Sequence, residues 1–129
     1  MAAYRGRSTW TLDGTYSFVT DIAPSPLEAA LLNEFHRLYG AVGFPAADSI
    51  GVTSRDNTGG GRYVALRCRE PCALQSGYLD LGGKHIEMPH IPNGLMAVIR
   101  VVAGQPVELD IAVYGGDSWD GEEREWTLV

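Results

Sequence analysis

Five side chains able to ligate a metal or act as nucleophile and base lie within 23 residues of one another: Cys68, Cys72, His85, Glu87 and His90. Placed on a strand, His85 and Glu87 project to one face, so a His/carboxylate pair is geometrically accessible. The spacing is not that of a structural zinc site, which pairs Cys-x2-4-Cys with a second, equally tight ligand pair. As an alternative to chemistry, Cys68 reads as a small strand residue sharing a face with Val64 and Leu66. Cys72 then lies in a loop behind Pro71, with the histidines as surface polar groups. A disulfide between the two would need a turn at Glu70-Pro71. For nucleophilic catalysis, Cys68 or Cys72 with His85 or His90 is the pair to test, since no Gly-x-Ser-x-Gly elbow occurs. His36 flanks an apolar helix stripe and reads as a bystander, and no cofactor is called for.

Two further motifs invite a ligand. Asp117-Ser-Trp-Asp120-Gly121-Glu122 gathers oxygens around a glycine, without the alternating ligand order and distal glutamate of an EF-hand loop. Thr58-Gly-Gly-Gly-Arg62 lacks the lysine-serine pair and the following helix of a phosphate cradle, so it reads as a hairpin tip.

Charge is more informative. The net charge of −6 falls entirely after Val107, where seven acids (Glu108, Asp110, Asp117, Asp120, Glu122, Glu123, Glu125) face one base, Arg124. An acidic surface repels phosphates and anionic lipid, which disfavours nucleic acid and membrane as partners and favours a basic protein. Tyr114, Trp119 and Trp126 interleave with these acids, the composition of an interface with aromatic anchors. The expected partner-binding set is Asp110, Tyr114, Asp117, Trp119, Asp120 and Glu122.

These residues need a scaffold. At 129 residues, with 45% hydrophobic and 20% charged side chains, the chain is expected to be one domain with a sizeable core. Ser8–Thr20 reads as a hairpin about Asp13-Gly14. Ser25-Pro26-Leu27-Glu28 is a capping box with proline at the first helical position. Leu27, Leu31, Phe35, Leu38 and Val42 then form one stripe, predicting a helix over 26–42. From Ile50 onward the signals are β. Strands are expected at 50–55, 62–69, 78–81, 84–88, 95–102 and 106–114, with a short hairpin at Gly82-Gly83 and an edge strand at 125–129. Met88-Pro-His-Ile-Pro92 reads as an extended strand exit. The class is α+β: a single antiparallel meander sheet of about six to seven strands packed on one helix.

The capped helix Ser25-Pro-Leu-Glu-Ala-Ala-Leu-Leu32, the glycine-rich β region and the late acidic strand Pro106-Val-Glu-Leu-Asp-Ile-Ala-Val113 resemble small bacterial immunity-type proteins, antidotes to toxins exchanged between competing cells. The resemblance spans about Pro24 to Tyr114 and transfers no site residue. It implies stoichiometric binding to a cognate toxin. The N-terminus, Met-Ala-Ala-Tyr-Arg-Gly-Arg, has no continuous apolar stretch behind its charges, and a cytoplasmic protein is expected. Two readings stand beside this one: a small metal-binding protein or enzyme built on the Cys/His cluster, and a homo-oligomeric ligand-binding or assembly subunit.

Overall fold

A computed structural model describes residues 21–129, together with two short strands, β1 (Thr11–Leu12) and β2 (Thr15–Tyr16), that pair antiparallel. That pairing matches the expected N-terminal hairpin; its Asp13-Gly14 turn and the flanking residues lie outside the described residues.

Helix α1 spans Pro26–Tyr39. Its start is the capping box: the Ser25 hydroxyl accepts from the Glu28 N–H at 3.1 Å, and the Glu28 carboxylate accepts from the Ser25 N–H at 2.9 Å. A 3-10 turn over Gly40–Val42 replaces the expected last helical turn. Val42 consequently leaves the apolar stripe and stands 65% exposed, while Leu32, beside the stripe, is fully buried with Leu27, Leu31 and Phe35.

Seven strands form one antiparallel sheet: β3 (Ile50–Asn57), β4 (Gly61–Cys68), β5 (Gly77–Asp80), β6 (Ile86–Met88), β7 (Ile91–Val102), β8 (Gln105–Val113) and β9 (Thr127–Leu128). The path runs β3-β4-β8-β7-β6-β9, with β5 also on β7. The α+β class and the single antiparallel sheet are as read from the sequence, but the strand order is not wholly sequential: β4 pairs with β8 rather than β5. Nor do β5 and β6 pair across Gly82-Gly83. Both lie end to end along β7, β5 against Val98–Val101 and β6 against Ile91–Leu95. Gly82-Gly83 does form a turn, closed by the Lys84 N–H on the Leu81 carbonyl at 3.3 Å, but the strands joined by a tight turn are β6 and β7: Met88 stands opposite Ile91, so the chain reverses at Pro89-His90 rather than running on extended.

Alternation gives the sheet two unlike faces. Val52, Val64, Leu66, Leu95, Ile99, Leu109 and Ile111 point to one side and share a core with the buried leucines and Phe35 of α1. About 2–3 kcal/mol per such side chain is the usual contribution of this burial. No helix among the described residues is long and apolar enough to cross a membrane.

Candidate functional site: the open face of the sheet

The face turned away from α1 carries a cross-strand row fixed by register: Asp56 opposite Tyr63, Tyr63 opposite Asp110, Asp110 opposite Val98. A second row places Ala65 opposite Glu108, Glu108 opposite Arg100, and Arg100 opposite Tyr78. Two hollows on this face, of about 220 and 410 Å³, share Met96 and Val98; Tyr63, Asp110 and Ala112 border the first, Tyr114 the second. The centre is therefore apolar at Met96 and Val98, and its margin mixes Tyr63, Tyr114 and the Asp110 carboxylate with Lys84 and His85 of the second hollow. Tyr63 and Tyr114 are 50% and 42% exposed.

Asp110 is the chemically distinctive group. It is half-buried, and its Oδ1 atom, shut off from solvent, has no hydrogen-bond partner among the described residues. Burial pushes its carboxyl up to about 6; the neighbouring Glu108 carboxylate adds to the rise by its charge and by a hydrogen bond to the protonated form, while the charge of Arg100 opposes it. Glu108 itself is paired, receiving Arg100 Nε at 3.3 Å.

The six residues expected to bind a partner do not share one surface. Asp110 and Tyr114 border the open face. Asp117 turns to the rim, where it accepts from the N–H and side-chain amide of Asn93 at 3.1 and 3.2 Å. Asp120 caps the Glu122 N–H and pairs with Arg124 at 2.9 Å, which holds its carboxyl below the usual range. Glu122 is exposed beside it. Trp119 is the correction: it is 3% exposed and belongs to the core, so it has no ring surface to offer a partner.

Trp119 is buried because the segment 115–126 is a strap. Its N–H donates to the Gly59 carbonyl at 2.9 Å, and its indole N–H to the Glu122 carbonyl at 2.8 Å. The guanidinium of Arg62 lies 4.7 Å above the Trp119 ring, in cation–π range. Arg62 is 4% exposed and joins four elements: it donates to Glu28 (2.9 Å), Glu123 (2.7 Å), the Gly121 carbonyl (2.7 Å) and Asn57 (2.8 Å). Glu123 also accepts from the Leu27 N–H at the start of α1, at 2.9 Å. Burial alone would raise the Glu28 carboxyl, but hydrogen bonds from Arg55 and Ser25 and the charges of Arg55 and Arg62 outweigh it, and the group is held below its usual value. Three of the seven late acids, Glu108, Asp120 and Glu123, are thus matched by arginines, two of which come from β4 and β7.

Among the described residues, the Cys/His set does not converge. Cys68 and Cys72 touch, with sulfurs 3.5 Å apart. Elsewhere, His85 Nε2 lies 3.3 Å from Glu87, as same-face projection requires, and His90 sits in the β6–β7 turn. No three such groups are placed to hold one metal ion among the described residues. His36 is exposed, with Nδ1 2.9 Å from the Phe44 carbonyl.

Sequence reasoning missed Tyr63, Asp56, Met96 and Val98 as a surface, and Arg62 as a hub. Period two carried the signal for Tyr63, Met96, Val98 and Arg62, but not for Asp56, which is in phase with Val52 and reaches the open face only through the register shift between Val52 and Ser54. Arg62 is in phase with Val64 and Leu66 and must point inward; Tyr63 is in antiphase and must point out. What fold and site define is a helix-backed antiparallel sheet with one acidic, tyrosine-bearing face left open by the described elements. No family model, curated protein or solved structure matches the chain.

Proposed function

We propose that this protein is a non-enzymatic, cytoplasmic binding protein that neutralises a basic protein partner, in the manner of an immunity protein, by docking it on the open sheet face. The observation that carries this reading is Asp110: a half-buried carboxylate with an unpartnered oxygen, beside Glu108 and within an apolar and tyrosine surround. Such a group weakens the free fold and is relieved by an incoming ammonium or guanidinium, whose stem would lie along Met96 and Val98. Asp56 adds a second carboxylate, this one exposed and without an ion-pair partner among the described residues. Tyrosine flanks are the usual anchors of such contacts.

The test is co-production with the product of the adjacent gene, scored by growth rescue and by calorimetric titration of the purified pair. Reversing Asp56 and Asp110 to lysine is expected to weaken binding by tenfold or more, about 1.4 kcal/mol. Reversing Asp117, Asp120 and Glu122 is expected to leave it within about threefold. Unchanged affinity in the first variant, or loss confined to the second, overturns the open-face assignment.

A further inference from the structure

Cys68 closes β4 on the core side, and Cys72 follows in the loop behind Pro71. Their sulfurs are in contact at 3.5 Å, and both residues are half-buried. The contact is held from two directions. Cys68 is locked opposite Ile50 in the β3–β4 ladder. The Cys72 loop is tied to the β7–β8 turn instead: the Cys72 carbonyl accepts from Gln105 Nε2 at 3.2 Å, and the Leu74 N–H donates to the Gly104 carbonyl at 3.1 Å.

We propose that Cys68 and Cys72 are an oxidisable dithiol, a modification site whose co-reactant is a low-molecular-weight disulfide. Cys72, in the loop, loses its proton to water and attacks one sulfur of the small disulfide. The small S–S bond breaks, one small thiol leaves, and a mixed disulfide remains on Cys72. Cys68 then gives up its proton, attacks Cys72 Sγ and expels the second small thiol. Two protein thiols are oxidised by two electrons, and one small disulfide is reduced to two thiols. Closing the bridge to about 2.05 Å asks the sulfurs to approach by roughly 1.5 Å, within reach of a side-chain rotation and a small loop shift. The order of attack follows from burial, which with the neighbouring Cys72 and the charge of Glu70 pushes the Cys68 thiol up to about 12. Cys68 is therefore the poorer initiator, and it releases its proton only once the mixed disulfide on Cys72 has removed that residue's part in the rise. Oxidation would also clamp the loop that bears Arg69, whose guanidinium grips the Asp48 carbonyl at 2.8 Å and Asp21 at 3.0 Å.

The experiment equilibrates the full chain with mixtures of reduced and oxidised glutathione, quenches with acid, alkylates, and reads intact mass. The expected product is a monomer that has lost two hydrogens, takes no alkyl group, and recovers both thiols with dithiothreitol. Cys68→Ser should stop at one glutathione adduct on Cys72, and Cys72→Ser should react about tenfold more slowly or less. Circular dichroism on each variant shows whether it retains the fold, and the parent chain needs no variant to decide the question. A parent that stays fully alkylatable, keeps a stable glutathione adduct, or joins into a disulfide-linked dimer overturns the proposal.

Discussion

Replacing Asp110 by asparagine should stabilise the protein, and only above a definite pH. In the fold this carboxyl sits at about 6, against 3.8 as its unperturbed value. At pH values between the two, the native chain holds a proton that the unfolded chain has released, so stability falls as pH rises through this window. Below it, both states are protonated and the group contributes nothing. Above it, the penalty reaches its full size, about 1–3 kcal/mol: roughly two units at 1.36 kcal/mol each, reduced by solvent screening of the exposed part of the carboxyl. Part of this comes from the charge of Glu108, two residues away on the same strand. Asparagine keeps the shape and removes the charge. Urea unfolding of parent and Asp110→Asn from about pH 3.5 to 8 should give curves that coincide at the acid end and separate by 1–3 kcal/mol at the other. In thermal scans near neutrality the variant should melt roughly 5–10 °C higher. A variant less stable than the parent at neutral pH, or a gap that does not change with pH, would refute the claim that Asp110 is an uncompensated charge. The same variant should bind the proposed partner more weakly, a stability gain at the expense of function.

Three further outcomes follow from the geometry. Arg62→Met should destabilise by about 3–5 kcal/mol in urea, because Glu28 loses one of its two arginine partners and Glu123 its arginine contact; a loss below 1 kcal/mol would deny Arg62 its role as hub. Glu28 gives acid sensitivity of the opposite sign to Asp110. Its carboxyl is lowered in the fold, so its contribution is present above the ordinary value of 4.5 and is lost as pH falls below it, and Glu28→Gln should flatten the acid limb of the pH–stability curve. The two faces of β7 should respond differently: Ile99→Ala is expected to remove 2–5 kcal/mol, whereas Val98→Thr on the open face should change stability by less than about 1 kcal/mol, and equal losses would contradict the assignment of faces.

Local rules made α1 legible from Ser25, Pro26 and Glu28, because a capping box satisfies helix N–H groups within four residues of chain. Period two likewise announced β4, β7 and β8 and told Leu109 and Ile111 from Asp110, since side-chain direction in a strand is set by the backbone alone. The tight turn at Pro89-His90 was missed because prolines on both sides suggested extension, and only the pairing of Met88 with Ile91 reveals the reversal. Charge counting located seven late acids but could not say which were free. That depended on Arg62, 61 residues away, arriving beside Glu123, and on the β7–β8 register that sets Arg100 opposite Glu108. Trp119 carried no mark distinguishing anchor from core, and the partner that buried it, Arg62, is 57 residues away. Composition and periodicity thus decided which elements exist and which way the side chains of β4, β7 and β8 point, while the register shift in β3 reversed the period at Arg55 and Asp56. Folding decided that Glu123 was neutralised by Arg62 and that Trp119 was covered, because those are contacts between elements distant in sequence, and such a contact has no local signature.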